Sequence, residues 1–429
     1  MTISAHRSPR IVITGAGAIT NLGLSAKETW EGMRAGRSGI TVLEGEEFSR
    51  FGENAFDIRI AGQVKNFDPA KFLDVREARR VDRFCQMGLA AAIEAVNHAG
   101  IDFSKENPER CGVIIGSGIG GITTMEECAH VIRDRGPSRA NPFTVPKLMA
   151  NAAAGNISIR FGLQGPASTH ATACASSGHA FGDAVHSMRR GETDIMLAGG
   201  AEATIGPVCV AAFNSMKALS ARNDAPSKAS RPFDKDRDGF VLGEGAAMFI
   251  LETEEHARQR GAKILGEIVG VANSCDAYHI TAPDEAGQGA VRSMKWALRD
   301  AGLNLDQIDY INAHGTSTPL GDKAEVAAVL SLFGNHARKS AGGKCMMSST
   351  KSMHGHALGA SGAVETIACL HAVADGIIPP TINLENPDEG MDVDLVPNHA
   401  RERKIKYAMN NTFGFGGHNC TIVIGRYDG

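Results

Sequence analysis

The sequence has no apolar run that approaches the ~18 residues of a membrane span, which sets membrane crossing aside. It also has no excess of either charge. Forty-four Lys and Arg against 48 Asp and Glu leave a formal charge of −4, so bulk electrostatics give no reason to bind nucleic acid or an anionic membrane. The nine cysteines are dispersed and include no Cys-x-x-Cys pair. A disulfide framework or a zinc ribbon is therefore not expected, and a reduced cytoplasmic compartment fits best. The opening MTISAHRSPR lacks an apolar signal-peptide core and is too short for an ordinary transit peptide. It runs straight into the strand-like Ile11-Val12-Ile13-Thr14-Gly15. Gly15-Ala16-Gly17 does not continue as a dinucleotide fingerprint, because the third glycine is out of place and no acidic strand end follows about twenty residues on.

What abounds is glycine: 50 of 429 residues, roughly 12% against a usual level of about 7%. The glycines neither recur at every third position nor gather in low-complexity tracts, which excludes collagen and argues against a long disordered tail. They lie beside apolar runs and read as the turns of a layered α/β protein. From Arg76 to His98, apolar Val81, Phe84, Leu89, Ile93 and Val96 predict one helix face, with Arg76, Arg79, Arg80 and Arg83 loading its first half. Gly100 stops it, and a strand from Cys111 to Ile115 opens into Gly116-Ser117-Gly118-Ile119-Gly120-Gly121. The pattern recurs further on: a helix from Gly289 to Arg299 ends at Ala301-Gly302, and a strand from Ile308 to Ala313 opens into Gly315-Thr316-Ser317-Thr318. Cys174 and His356 each precede a helix-like stretch, ending at Gly191 and Gly376. These matches predict two duplicated α/β halves, 1–265 and 266–429. The polar segment Asn214 to Gly243 reads as a surface excursion, with a lid or an interface loop as the other readings.

The chemistry-bearing residues sit at the turns. In Thr172-Ala173-Cys174-Ala175-Ser176-Ser177-Gly178, the cysteine stands where a helix begins (Phe181, Val185, Met188). Helix N-terminal N–H groups favour thiolate and can hold an oxyanion, although a packed core cysteine fits the same local pattern. His314 stands at a strand end, where α/β side chains enter a ligand crevice, with Thr316 and Thr318 beyond it. Ser349-Thr350-Lys351-Ser352-Met353-His354-Gly355-His356 places a lysine and two histidines in one turn. A metal fragment completed by His314 and Asp322 is the alternative there, but no HExxH or carboxylate cluster supports it, and no metal is expected. Phe413-Gly414-Phe415-Gly416-Gly417-His418-Asn419 suits a gate over an apolar channel, or else a hairpin with aromatics pinned in the core. One cysteine, two strand-end histidines and a lysine make a thiol-nucleophile acyl-transfer set.

Taken together, IVITGAGAIT, GSGIGG, ATACASSG, LAGGAE, RPFDKDRDGFVLGEGA, DAYHIT, NAHGTSTPLGDKAE, SSTKSMHGHALGASGAVE, PPTINLENPDEG and NNTFGFGGHN cover nearly the whole chain. In that order they closely resemble the β-ketoacyl-acyl-carrier-protein synthases, the elongating type II enzymes most of all. The resemblance implies a thiolase fold, with two halves in a five-layer αβαβα sandwich, and a homodimer. It implies an acyltransferase of fatty acid synthesis: Cys174 takes an acyl chain, malonyl-carrier protein loses CO2, and a 3-oxoacyl product forms. By position, His314 and His356 promote decarboxylation, Lys351 paired with Glu325 orients them, and the N–H groups of Cys174 and Phe415 form the oxyanion hole. Phe415 is also the gate. Thr316 and Thr318 bind the phosphopantetheine arm, Ile119 lines the acyl tunnel, Phe213 is a further substrate-binding residue, and Asn419 is a supporting one. No cofactor is implied, since phosphopantetheine arrives on the acyl carrier protein. That acidic partner would dock on Arg76, Arg79 and Arg80, with Arg139 and Lys217 as further contacts.

Two positions depart from the family pattern: His354 stands where threonine or another non-histidine residue is common, and His418 where threonine is usual. Three rival readings remain within the superfamily. A degradative thiolase wants a second cysteine, for which Cys420 in a strand-like setting is the sole late candidate. A non-catalytic chain-length subunit usually lacks the cysteine present here. The third is a ketosynthase of a specialised polyketide or lipid pathway.

Overall fold

Strand β1 (Ile11–Thr20) is buried along its whole length. This is the signature of a strand covered on both faces rather than one alternating between core and water. The computed structural model describes residues 8–52 and 55–429; residues 1–7, read above for a missing signal peptide, lie outside them. The first half continues with β2 (Cys111–Gly116), β3 (Ala167–His170), β4 (Ile195–Glu202) and β5 (Gly245–Thr253). The second has β6 (Gly266–Cys275), β7 (Tyr310–Asn312), β8 (Met346–Ser348), β9 (Tyr407–Gly414) and β10 (His418–Gly425).

These strands run β8-β7-β9-β10-β6-β1-β5-β4-β2-β3 across one ten-stranded sheet. From the junction outward the first half is ordered 1-5-4-2-3 and the second 6-10-9-7-8, the same order with five added to each number. The pairing senses repeat as well. β1–β5 and β5–β4 are antiparallel and β4–β2 and β2–β3 parallel. β6–β10 and β10–β9 are antiparallel and β9–β7 and β7–β8 parallel. The halves join where Ile11, Val12 and Ile13 pair with Ile268, Glu267 and Gly266.

Helices fill the layers between and outside the two half-sheets. α1 (Val75–Arg80) and α2 (Arg83–Ala99) precede β2, α3 (Ser176–Arg189) follows β3, and α4 (Gln288–Ala301) precedes β7. α5 (Pro319–Phe333) follows β7 and α6 (Ser361–Asp375) follows β8. α2 packs on β1 and β5, and α4 on β6 and β10, as the two outer layers. α3 and α6 lie between the halves, each touching strands of both. Their apolar faces, including Phe181, Val185, Val364, Ile367 and Leu370, belong to the central core cluster. The result is five layers, αβαβα.

Three local expectations change. The helix read over Arg76 to His98 is two helices. Val81 is extended, and Asp82 caps α2 by accepting from the Phe84 N–H at 3.2 Å; a capping aspartate competes with helix continuation. Arg83 thereby leaves the basic face and pairs with Glu244 at 2.7 Å. The segment Asn214 to Gly243 is not simply a surface excursion, because Ser230, Arg231, Phe233, Asp234 and Arg237 are all buried. It braces the loop after β7: the Phe233 N–H donates to Asp322 at 2.8 Å and the Arg231 N–H to Ser317 at 3.0 Å. Asp322 is thus occupied by backbone donors and Arg237, not poised as a metal ligand beside His314. Finally, the strand read over Ile308 to Ala313 narrows to Tyr310–Asn312.

Candidate active site

The repeat sets the geometry of the site. After β3 and after β8 the chain makes a one-turn helix, Ala173–Ala175 and Leu358–Ala360, before α3 and α6 begin. The first residue of each turn has positive φ, Ala173 at 50° and Leu358 at 42°. Such strain in a non-glycine residue persists where the surroundings over-determine it, often at active sites. Cys174 follows Ala173 directly, His356 lies two residues before Leu358, and His314 follows the end of β7.

These three side chains converge. His356 Nε2 lies 3.0 Å from Cys174 Sγ. The His314 and His356 rings meet edge to face, with centroids 5.3 Å apart and planes at 83°. The Nδ1 atom of His356 lies 2.8 Å from the Ser361 hydroxyl, so Ser361 orients the ring whichever nitrogen carries the proton. His314 Nδ1 is buried without a partner.

Lys351 is buried beside them, 1% exposed, and pairs with Glu365. This corrects the Lys351–Glu325 pairing expected above. Glu325 instead accepts the N–H groups of His314 at 2.9 Å and Gly315 at 2.8 Å, and the Asn411 amide at 3.3 Å. Its acceptor oxygens are taken by the turn that carries His314, whereas Glu365, just past the first turn of α6, faces Lys351. Burial raises both carboxyls to about 7, with Lys351 pulling each back down.

The electrostatics follow from burial and this one ammonium. Burial, then Lys351, holds His314 and His356 well below the usual imidazole range, so both rings are neutral at pH 7. Burial pushes the Cys174 thiol up to about 12, opposed by Lys351 and by the backbone N–H groups of Phe415 and Cys174 itself. The resting pair is a neutral thiol and a neutral imidazole. The backbone donors beside the sulfur are the two expected of an oxyanion hole. Gly414 allows that approach, since a Cβ there would meet the Thr172 carbonyl at 2.8 Å and the Cys174 nitrogen at 3.0 Å.

A cavity of about 640 Å³ opens onto these groups. Ile119, Phe213, Thr316, Thr318, Phe415 and Asn419 all line it, as does Lys217. Phe213 packs edge-on against Phe240, which in turn meets His356. The Thr316 and Thr318 hydroxyls are 3.0 Å apart. Phe415 is 36% exposed on a loop tied to its neighbour: the Gly416 N–H donates to the Ile280 carbonyl at 2.7 Å and Asn419 Nδ2 to Asp276 at 2.7 Å. Arg76, Arg79 and Arg80 are exposed on α1, outside this cavity, with the Arg80 guanidinium over the Phe143 ring. A larger cleft of about 1440 Å³ is lined by charged side chains, Arg79 among them, and contains neither Cys174 nor either catalytic-site histidine.

Comparison with known proteins decides the family. Residues 8–257 match the model for the β-ketoacyl synthase N-terminal domain and residues 265–385 the model for its C-terminal domain. The chain belongs to the β-ketoacyl synthase family. It is 48% identical over 418 residues, 97% of this chain and 98% of the relative, to a Synechocystis 3-oxoacyl-[acyl-carrier-protein] synthase 2. A β-ketoacyl synthase crystal structure from Burkholderia phymatum superposes with a TM-score of 0.88 at 35% identity, covering 98% of this chain and 100% of that one. A type II polyketide-synthase acyl-carrier protein in complex with its ketosynthase gives 0.88 at 32% identity and the same coverage. The two-half α/β architecture of this synthase is the thiolase fold.

The two departures lie beside the cavity rather than on it. His354 is buried, with Nε2 3.1 Å from the Thr350 hydroxyl and Nδ1 unpartnered. Burial holds its pKa down to about 3. His418 meets His179 edge to face, at 6.1 Å. Cys420 is buried in β10 behind α3 and does not line the cavity. Sequence reasoning left Ser361 and Glu202 without a role, and placed Glu365 only with Asn312 and Asn411 around a monovalent cation by family analogy, not against Lys351. Glu365 and Ser361 were hidden inside the ALGASGAVE motif. Glu202, at the end of LAGGAE, accepts from Gly118, Ile119 and Gly359 and so fixes the turn that carries Ile119.

Replacing Lys351 with Met removes the cation that depresses both imidazoles. Their pKa values then rise, the neutral form is lost at a higher pH, and the acid limb of malonyl decarboxylation moves upward. Lys351→Arg restores the limb. A pH–rate profile in which the Met variant keeps the wild-type limb contradicts this assignment.

Proposed function

We infer that this protein catalyses the decarboxylative condensation of malonyl-acyl-carrier-protein with an acyl chain held on Cys174, in fatty acid elongation. The observation that carries the reading is the meeting of Cys174 Sγ with His356 Nε2 at 3.0 Å, beside a second neutral imidazole. The 48% identity to a 3-oxoacyl-[acyl-carrier-protein] synthase 2, against 32% to the polyketide ketosynthase, favours elongation over a specialised pathway.

In the first stage His356 takes the thiol proton and the sulfur attacks the acyl thioester. The departing carrier thiolate receives that proton, and the acyl chain remains on Cys174. His356 then serves in its other tautomer. With Nδ1 accepting from the Ser361 hydroxyl, Nε2–H points into the cavity, and Ser361 allows the exchange because a hydroxyl both donates and accepts. His314 and His356 donate N–H to the malonyl thioester oxygen, so loss of CO2 leaves a stabilised enolate without a metal. The enolate carbon attacks the acyl-cysteine carbonyl. The N–H groups of Cys174 and Phe415 hold the resulting oxyanion, and its collapse releases the 3-oxoacyl product and the Cys174 thiolate, which takes a proton from solvent to restore the thiol.

Thr316 and Thr318, on the cavity wall, bind the phosphopantetheine arm. Ile119 and Phe213 bound the acyl chain, and Phe415 gates entry with Asn419 supporting its loop. No dissociable cofactor takes part. Arg76, Arg79 and Arg80 dock the carrier protein, with Lys217 at the cavity mouth and exposed Arg139 as further contacts. Dimerisation through the outer edge of β3 is supported by exposed Met125, Phe143, Val145 and Ile159 in the segment that leads to it. Among the described residues no helix is long and apolar enough to cross a membrane. All nine cysteines are free, which supports a cytoplasmic setting.

Incubation with malonyl- and acyl-carrier protein yields 3-oxoacyl product by mass spectrometry. Cys174→Ala lowers its formation on the order of 10³-fold or more, while some malonyl decarboxylation persists; wild-type product formation by that variant removes Cys174 as nucleophile. Reversing the charge of Arg79 and Arg80 together raises KM for carrier-protein substrates roughly tenfold. An unchanged KM at low salt takes both arginines out of the docking site.

A further inference from the structure

Cys174 Sγ and one ring nitrogen from each of His314 and His356 lie within 4.8 Å of one another. One of these spacings, Sγ to His356 Nε2, is 3.0 Å. A tetrahedral zinc ion, with Zn–S about 2.3 Å and Zn–N about 2.0–2.1 Å, requires S···N spacings of about 3.6 Å and N···N of about 3.3 Å. One spacing is thus about 0.6 Å short of the required value and none exceeds it by more than about 1.5 Å, so side-chain shifts on the order of 1 Å close the set around an ion.

The surroundings match what such a site needs. The fourth position opens into the cavity of about 640 Å³, leaving room for water. The far nitrogen of His356 is anchored by Ser361 at 2.8 Å, the outer hydrogen bond that fixes a ligating imidazole. The neighbouring carboxylates are committed elsewhere: Glu325 and Glu202 to backbone N–H groups, Glu365 to Lys351. A set of one sulfur and two imidazoles, without a carboxylate, selects a borderline or soft ion over magnesium or calcium. The Lys351 charge that acts on both imidazoles also opposes a second cation, and the thiolate formed on binding offsets that repulsion.

We propose that the unacylated enzyme binds one zinc-class divalent ion through Cys174, His314 and His356. Binding displaces the thiol proton to solvent and blocks acyl transfer. Acylation of Cys174 in turn removes the sulfur ligand and excludes the ion. The site is inhibitory, and it rests on the reading of Cys174 as acyl acceptor only for this mutual exclusion.

Cobalt(II) is the probe, because thiolate ligation gives it a near-ultraviolet charge-transfer band. Titration of the unacylated enzyme should raise that band to saturation at one equivalent, with one proton released. Zn²⁺ should displace the cobalt, abolish product formation and be reversed by a chelator. Cys174→Ala should give no band, and His314→Ala should bind at least tenfold more weakly, with circular dichroism checking that both variants are folded. Enzyme acylated beforehand, verified by intact mass, should also give no band. No band on the unacylated wild type, or an equal band on Cys174→Ala or on acyl-enzyme, overturns the proposal. Failure of Cys174 to acylate at all, seen by mass alone, instead counts against the condensation reading.

Discussion

The active site depends on one buried ion pair, Lys351 with Glu365. Withdrawing an ammonium from water costs several kcal/mol unless a partner and good geometry offset it, and here the partner is equally buried. Its charge acts on every reactive group around it: it holds His314 and His356 in their neutral forms and draws the thiol toward thiolate against burial. A neutral imidazole gives a proton at one nitrogen and takes one at the other, the tautomer deciding which, and an imidazolium can only give one. The chemistry needs both directions, since His356 first removes a proton from sulfur and then donates to an enolate.

The duplicated fold puts that machinery in one place. Each half delivers a strained turn at the start of a central helix, Ala173 before α3 and Leu358 before α6, and the two helices lie side by side between the half-sheets. The copies have diverged in what they carry. The first supplies the nucleophile, and the second supplies both histidines, the lysine and the Phe415 N–H. The oxyanion donors thus come from different halves, and close approach at Gly414 brings them together. The glycine excess has its most specific use there, where a Cβ would separate the gate loop from the nucleophile turn.

Much of this was legible in the sequence, for physical reasons. Fully buried strands read as apolar runs ending in glycine, and reactive side chains cluster at the turns that follow, so Cys174, His314, Lys351 and His356 stood out. The internal repeat was visible from helix–strand–loop order, although the shared 1-5-4-2-3 strand order needed coordinates. What failed was pairing across long sequence separations. Lys351 had two buried glutamates within reach, and only the fold shows Glu325 saturated by backbone donors. Asp82 looked like one more polar residue on a helix, yet its cap splits that helix and takes Arg83 off the basic face. Ser230 to Arg237 looked solvent-facing because it is charged. Arg231, Asp234 and Arg237 are buried, Arg237 pairs with Asp322 and Asp388, and the N–H groups of Arg231 and Phe233 donate to Ser317 and Asp322 of the second half.

The central claim is that His314 and His356 stay neutral at neutral pH because of burial and the Lys351 charge. Nitrogen-15 NMR of histidine-labelled enzyme, assigned with single His314 and His356 substitutions, measures this directly. Both rings should show neutral-imidazole shifts at pH 7 and remain neutral well below the ordinary imidazole value of about 6.5. Imidazolium shifts for either ring at pH 7 would contradict the account.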